Sequence, residues 1–495
     1  MSTTFKTIVT LFLIVTGIQN STAETINCKD FGAIGDGVFI NTKIINQCVE
    51  KVAAQGGGYV VIPAGVFKSG TVELRSNVFL KLEPGAVLKG SPDLQDYKRF
   101  DGHRYDRYLY HLVTAKSAEN TGIVGEGTID GNGTAFWEPF NESDMPSWIK
   151  AKDPRVSRLV EFTNCRNVSI KDITIQNTPE WTLHLFNCRG VTISGIHISN
   201  HLFGPNADGI DLTGCQQVTI SDCRIETCDD GICLKTNVDS DSCVQITVTN
   251  CVIKTLCAAL KIGNESAKDF KQITFTNCVV YQSSRAISIN SEEGGNVEDV
   301  LISNIVADNN APLILTRPIH LSVLKPKQGK AGSIRNLSVQ DFSCKTQGRI
   351  LITAEKGTLM ENIQLRNIRL VYPWIEDPFL ISDSARSSQY SPQNKMARKQ
   401  RASIVAENVK NLMINHLQVE WPDQKVPLEW QLPVRIENGS RPRIFKPDYS
   451  KNKECNFDLL WGNLLEGGYI WAPNTLSSNG KQGMVLSNCK NFTVR

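Results

Sequence analysis

The chain has 495 residues, 41% of them hydrophobic and 21% charged, with a formal net charge of +3 and a pI of about 8.1. That composition excludes a disordered or low-complexity protein and is enough for one large core or two domains. So small a net charge gives no support for nucleic-acid binding, and it neither demands nor excludes an acidic polymer as substrate.

In chain order, the opening stretch MSTTFKTIVTLFLIVTGIQNSTAET places Lys6 ahead of an apolar run over positions 8–15. Ser21 and Ala23 then sit where small residues precede a cleavage site. The run is too short to span a bilayer, so residues 1–23 read as a secretory signal and the mature protein is expected to be exported. No later run resembles a transmembrane helix, and no membrane partner is expected. Next, TKIINQCVEKVAAQ carries Ile44, Ile45, Cys48, Val49 and Val52 at helical spacing, with Asn41 as the expected N-cap. An amphipathic helix here would plug the open end of whatever follows and cover unpaired strand edges. The glycine-rich QGGGYVVIPAG and NVFLKLEPGAVLKG open the first strands.

From Cys165 one pattern recurs: NCRNVSIKDITI, NCRGVTISGIHI, GCQQVTISDCRI, SCVQITVTNCVI, DFKQITFTNCVV and NVEDVLISNIVA. The copies align on Val168, Val191, Val218, Ile246, Ile273 and Val300, so the period lies in the twenties. Weaker copies follow at SIRNLSVQDFSC, LMENIQLRNIRL and NVKNLMINHLQV, and the chain closes on NCKNFTV. Short alternating β runs at such a period predict a solenoid in which each repeat is one coil. Without long helices between them, and without the leucine spacing of leucine-rich repeats, the coils predict an all-β, single-stranded, right-handed parallel β-helix. The cysteines keep to fixed places in the repeat. Cys165, Cys188, Cys215 and Cys243 lie three positions before the anchor, and Cys223, Cys251 and Cys278 five after it. They are expected to be mostly unpaired thiols stacked in the interior, with Cys228 and Cys233 the pair to inspect for a bridge. Segments near 372–403, with the basic NKMARKQR, and near 421–480 interrupt the pattern as loop insertions, either solvated or walling a groove. No linker is visible, so residues 24–495 are expected to form one domain.

Two short segments carry chemistry. GPNADGIDL (204–212) lies one coil before CDDGICLK (228–235), so Asp208 precedes Asp229 and Asp230 by slightly less than one coil. Matching turns would bring all three carboxylates to one face, with Lys235 nearby to hold part of the cluster ionised. Clustered carboxylates cannot all ionise cheaply near neutral pH. One keeps a proton as an acid and another stays ionised as a base, the division of labour that glycosidic hydrolysis needs. Which aspartate takes which role stays open at this point.

With these residues the sequence resembles glycoside hydrolase family 28, the polygalacturonases and rhamnogalacturonases. DFGAIGDG (30–37) and GGGYVVIPAG (56–65) resemble the opening of pectin-active β-helix enzymes, and GIVGEGTIDGNGTAFW (122–137) and PEWTLHLFNCRGVTI (179–193) match the family more specifically. Its Asn-Thr-Asp-Gly motif stands here as Asn206-Ala207-Asp208-Gly209, followed by Asp229-Asp230 and Lys235. The resemblance implies an inverting hydrolase of α-linked galacturonate polymers or related pectic chains; a monomer that needs no cofactor and no metal is expected. It gives Asp229 as general acid, with Asp208 and Asp230 positioning and deprotonating water. Inversion calls for acid and base carboxyls roughly 6.5–9.5 Å apart.

The chain departs from the family at two motifs. Gly-His-Gly falls on Cys257-Ala258-Ala259, and Arg-Ile-Lys, which holds the substrate carboxylate, falls on Ser288-Ile289-Asn290. Arg285 and Lys261 lie close enough to take over anion binding, or they are a coil cap and a solvated strand residue; both readings stay open. His184 is a further candidate beside the substrate, or a structural histidine against Trp181. An active glycosidase competes with a polysaccharide-binding β-helix that has lost catalysis. A lyase or epimerase is a third reading, disfavoured because the site offers acids where a lyase needs a basic proton acceptor and usually calcium ligands.

Overall fold

The computed structural model describes residues 24–100, 110–141, 143, 148–311, 316–373 and 403–420 in full. It also describes the backbone of residue 402 and of four late strands, Asp458–Asn463, Glu466–Trp471, Gly483–Ser487 and Thr493–Val494. The expected signal segment, residues 1–23, lies outside the described residues, as does most of the insertion at 372–403. Within 421–480, read above as an insertion, Asp458–Asn463 and Glu466–Trp471 are strands that extend the two sheets by parallel pairing. That segment therefore contains part of the solenoid.

The repeats do form coils of a right-handed parallel β-helix. Among the described residues, one sheet of 23 strands and one of 13 run the length of the molecule. A chain that winds in one sense returns each strand beside its predecessor, and the right-handed crossover is the favoured one. The anchors stack as their spacing requires: Val168 pairs with Val191, Val191 with Val218, Val218 with Ile246, Ile246 with Ile273 and Ile273 with Val300. All six are buried, and so are Leu337, Ile363 and Leu412, which continue the column. Fully burying each such side chain contributes about 1.5–3 kcal/mol.

Each of the six coils anchored on Val168, Val191, Val218, Ile246, Ile273 and Val300 turns at two left-handed residues flanking the anchor strand. The residue before the anchor has positive φ at Asn167, Gly190, Gln217, Gln245, Gln272 and Asp299, and so does the fourth residue after it at Asp172, Gly195, Asp222, Asn250, Asn277 and Asn304. Asparagine, aspartate and glycine tolerate that conformation best. Stacked corner asparagines also bond one another, as Asn304 Nδ2 does to Asn277 Oδ1 at 2.8 Å.

The described cysteines are free and buried. Cys228 and Cys233 are not bridged: the first thiol donates to the Gly204 carbonyl at 2.6 Å and the second to the Gly263 carbonyl at 3.2 Å. At the N-terminal end, helix α1 (Thr42–Ala54) buries Ile45, Cys48, Val49 and Val52 against the first coils. Asn41 precedes it, but its side chain does not cap the helix. Asn41 Oδ1 accepts from the Ile34 amide at 2.8 Å and Nδ2 donates to the Ile34 carbonyl at 3.0 Å, which pins the preceding loop instead.

Candidate active site

The 13-strand sheet carries the site. Ile210–Thr213, Ile232–Thr236, Ala258–Ser266 and Arg285–Ser291 are successive neighbours in it. Ile210 pairs with Ile232, Ile232 with Leu260, and Ala258 with Arg285. The residues that open these strands therefore form one column, Asp208, Asp230, Ala258 and Arg285, at about 4.8 Å per coil. Asp-Gly recurs in it for a steric reason. A Cβ on Gly209 would come within 2.4 Å of the Gly231 carbonyl oxygen, so the backbones could not approach this closely with any other residue. The Gly209 amide donates to the Asp230 carbonyl at 2.8 Å, and the Asp229 amide to the Ala207 carbonyl at 3.3 Å. The three aspartates are thus brought together on adjacent coils.

They open onto a cleft of about 650 Å³ lined in part by Trp148, Trp181, Asn206, Asp208, Asp229, Asp230, Lys235, Lys261, Asn264, Glu265 and Arg285. Lys235 Nζ lies 3.0 Å from Asp208 Oδ2, 2.8 Å from Asp211 Oδ1 and 3.5 Å from the centroid of the Trp181 ring. One cation thus serves two buried carboxylates and a π face. Burial and the neighbouring Asp211 hold Asp208 well above the usual carboxylate range, against the pull of Lys235. Burial also raises Asp211, to about 6, with Lys235 opposing. Both carboxyls of the Asp208–Asp211 pair are thus biased toward their protonated forms, with Lys235 opposing.

Asp229 and Asp230 diverge. Burial raises Asp229, and repulsion from Asp230 adds to it. Burial acts on Asp230 in the same sense, but Lys261 and then Lys235 outweigh it and Asp230 ends below its ordinary value. The direct cause is the ion pair between Lys261 Nζ and Asp230 Oδ2 at 2.5 Å. Environment therefore biases Asp229 toward its protonated form and Asp230 toward its ionised form. Their spacing differs from the expectation for inversion. One oxygen of each lies within 4.8 Å of the other and of Cys257 Sγ, short of the separation that leaves room for an attacking water.

Of the other expected residues, Asn206 lines the cleft and donates to Glu180 Oε1 at 3.2 Å. Arg285 also lines it, one coil beyond Ala258. Lys261 lines the cleft too, with its ammonium paired to Asp230. His184 does not reach the cleft as expected of a substrate contact. It is buried, with Nδ1 2.6 Å from Glu161 Oε2 and Nε2 2.9 Å from Thr213 Oγ1, and packs edge-on against Trp181. Sequence reasoning missed Asp211, Asn264 and Glu265. For Asp211 a signal existed: a lone charge between Ile210 and Leu212 in an otherwise apolar strand.

The sequence profile of glycosyl hydrolases family 28 matches residues 53–380. The chain belongs to that family. A probable polygalacturonase of Vitis vinifera is 31% identical over 230 residues, 44% of this chain and 45% of the relative. An exo-poly-alpha-D-galacturonosidase of Dickeya chrysanthemi is 26% identical over 44% of this chain and 43% of its own. The chain thus matches a little under half the length of these curated relatives. Among solved structures, an exopolygalacturonase of Thermotoga maritima is 25% identical and superposes with a TM-score of 0.58 over 71% of this chain and 88% of that one. The family 28 exopolygalacturonase of Yersinia enterocolitica, 18% identical, shares the fold with a TM-score of 0.64 over 95% and 78% of the two chains. Ser288 and Asn290, where the Arg-Ile-Lys motif is expected to fall, are buried neutral side chains. Asn290 Nδ2 donates to Ser288 Oγ at 3.0 Å, and Ser322 Oγ donates to Asn290 Oδ1 at 2.8 Å.

Proposed function

We propose that this protein hydrolyses α-glycosidic bonds in galacturonate-containing polysaccharide or oligosaccharide, outside the cytoplasm and as a monomer, by a single-displacement acid/base reaction. The observation that carries the reading is the opposed tuning of Asp229 and Asp230 on one cleft wall. Asp229, half-buried and biased toward its protonated form, donates a proton to the leaving glycosidic oxygen. Asp230, ionised beside Lys261, accepts from a water that attacks the anomeric carbon as that bond breaks. Asp208 stands next to Asp230 in the column, and its Oδ1 has no hydrogen bond within the described protein, so it can orient the same water. Arg285 supplies the cleft cation for a galacturonate carboxylate.

General-acid catalysis contributes typically 100- to 10,000-fold, so Asp229→Asn should lose at least about 100-fold in kcat while its circular dichroism and unfolding midpoint stay at wild-type values. The anomer released in early turnover, read by NMR, should be inverted. Retained configuration would replace the water-activating role by a covalent one, and an unimpaired D229N enzyme would remove Asp229 from the chemistry.

A further inference from the structure

Cys257 meets the aspartate pair from the next coil. Its Sγ and one oxygen each of Asp229 and Asp230 lie within 4.8 Å of one another, and the residue lines the cleft while only 4% exposed. It stands where the Gly-His-Gly motif has a glycine, so the thiol is this chain's own. Its backbone is fastened on both sides. The Cys257 amide donates to Thr255 Oγ1 at 3.0 Å, and the same hydroxyl donates to the Asp229 carbonyl. The Cys257 carbonyl accepts from Ser284 Oγ at 2.7 Å and from the Ser284 and Arg285 amides at 3.1 Å.

The two carboxyls differ in what they can still accept. Asp230 has a donor on each oxygen, Lys261 Nζ at 2.5 Å on Oδ2 and the Ala258 amide at 3.3 Å on Oδ1. Asp229 Oδ1 accepts from the Asp230 amide at 2.9 Å, and among the described residues no backbone or ammonium donor bonds to its Oδ2. The thiol keeps its proton, because burial and then Asp229 and Asp230 hold it well above the ordinary thiol range. A protonated thiol is a weak donor, and a carboxyl that gains charge is the acceptor it suits.

We propose that Cys257 is a positioning residue: its S–H donates to Asp229, fixing the carboxyl and stabilising the charge left once the proton has gone to the leaving oxygen. This inference rests on the hydrolase reading above. The thiol acts among other groups. Asp230, Asp208 and Cys228 crowd Asp229, Lys261 and Lys235 oppose them, and Arg285 faces the thiol. Cys257 pulls Asp229 downward, in the same sense as the lysines.

Cys257→Ala removes the donor, so Asp229 should hold its proton to higher pH. The alkaline limb of the rate profile should move up by about 0.5–1 unit, and kcat should fall about three- to tenfold with KM little changed. Cys257→Ser keeps a donor and should leave the limb near its wild-type place. A second reading needs no turnover: the infrared band of protonated Asp229, isolated by subtracting the Asp229→Asn spectrum, followed through its titration. That band should persist to higher pH in the alanine variant than in the wild type or the serine variant. A limb or band that stays in place in Cys257→Ala overturns the proposal, even where stability falls, since packing alone would then explain the residue. A band that moves while no protein cleaves any galacturonate oligosaccharide upholds the thiol contact and overturns the hydrolase reading.

Discussion

Asp229 and Asp230 are the same side chain on adjacent residues, and their surroundings drive them in opposite directions. On the proposed mechanism, activity needs Asp229 protonated and Asp230 ionised. The rate should therefore fall on the alkaline side as the raised Asp229 loses its proton, and on the acid side only below the ordinary carboxylate range, where the lowered Asp230 gains one. Initial rates against pH should give a bell whose limbs belong to the coupled pair. Lys261→Met removes the cation that depresses Asp230, so its acid limb should move to higher pH; an unmoved limb would detach Lys261 from the chemistry. Asp211 makes a separate prediction about stability. Its folded pKa of about 6 lies above the ordinary 3.8, so its contribution is fully present below about pH 4 and is lost as pH rises through about 6. The loss is on the order of 3 kcal/mol. Asp211→Asn should flatten the fall in urea midpoint between pH 4 and 7. The aspartate trio was legible because an offset of just under one coil places its members on neighbouring turns of the helix. The ion pair of Lys261 with Asp230 was not legible. It depends on how far one long side chain reaches across a coil boundary, and periodicity carries no information about that.

At the scale of the strand and its corners, the repeat spacing was enough to identify coils and to align their anchors, because a stacked core demands one apolar residue per turn at the same place. The corners were less visible. Their residue type varies among Asn, Gln, Asp and Gly, and the shared property is a backbone angle rather than a side chain. Asn41 misled for a related reason. Asparagine before a helix suits a cap, yet its amide is equally able to tie down a loop, and Ile34 is within reach. The corners can be tested singly. Asn304→Val puts a β-branched residue at φ 55° and breaks the bond to Asn277. It should destabilise the surrounding coils by about 1–2 kcal/mol, read as faster hydrogen exchange in Asn296–Asn309 and its two neighbours in the sheet. Exchange unchanged there would show that the corner angle carries no strain.

For the molecule as a whole, the N-terminal helix matters more than its 13 residues suggest. It covers the end of a stack whose strand edges would otherwise be free to pair with another chain. Val49→Asp with Val52→Asp introduces two charges at fully buried positions and should lift the helix away. Concentration-dependent association by light scattering is then expected, with little change in the content of β structure. A double variant that stays monodisperse would show that the stack end is guarded by something else. The column Asp208, Asp230, Ala258, Arg285 has a consequence on an evolutionary timescale. Because each coil contributes one letter to it, duplicating or deleting a single coil between the aspartates and the arginine would slide the cation along the groove by one strand spacing, about 4.8 Å. Neither the acids nor the arginine would need to mutate, and each surviving coil would keep its own packing. Specificity in such a scaffold can therefore drift by counting turns, which gives it a route to new polymers that a closed globular site lacks.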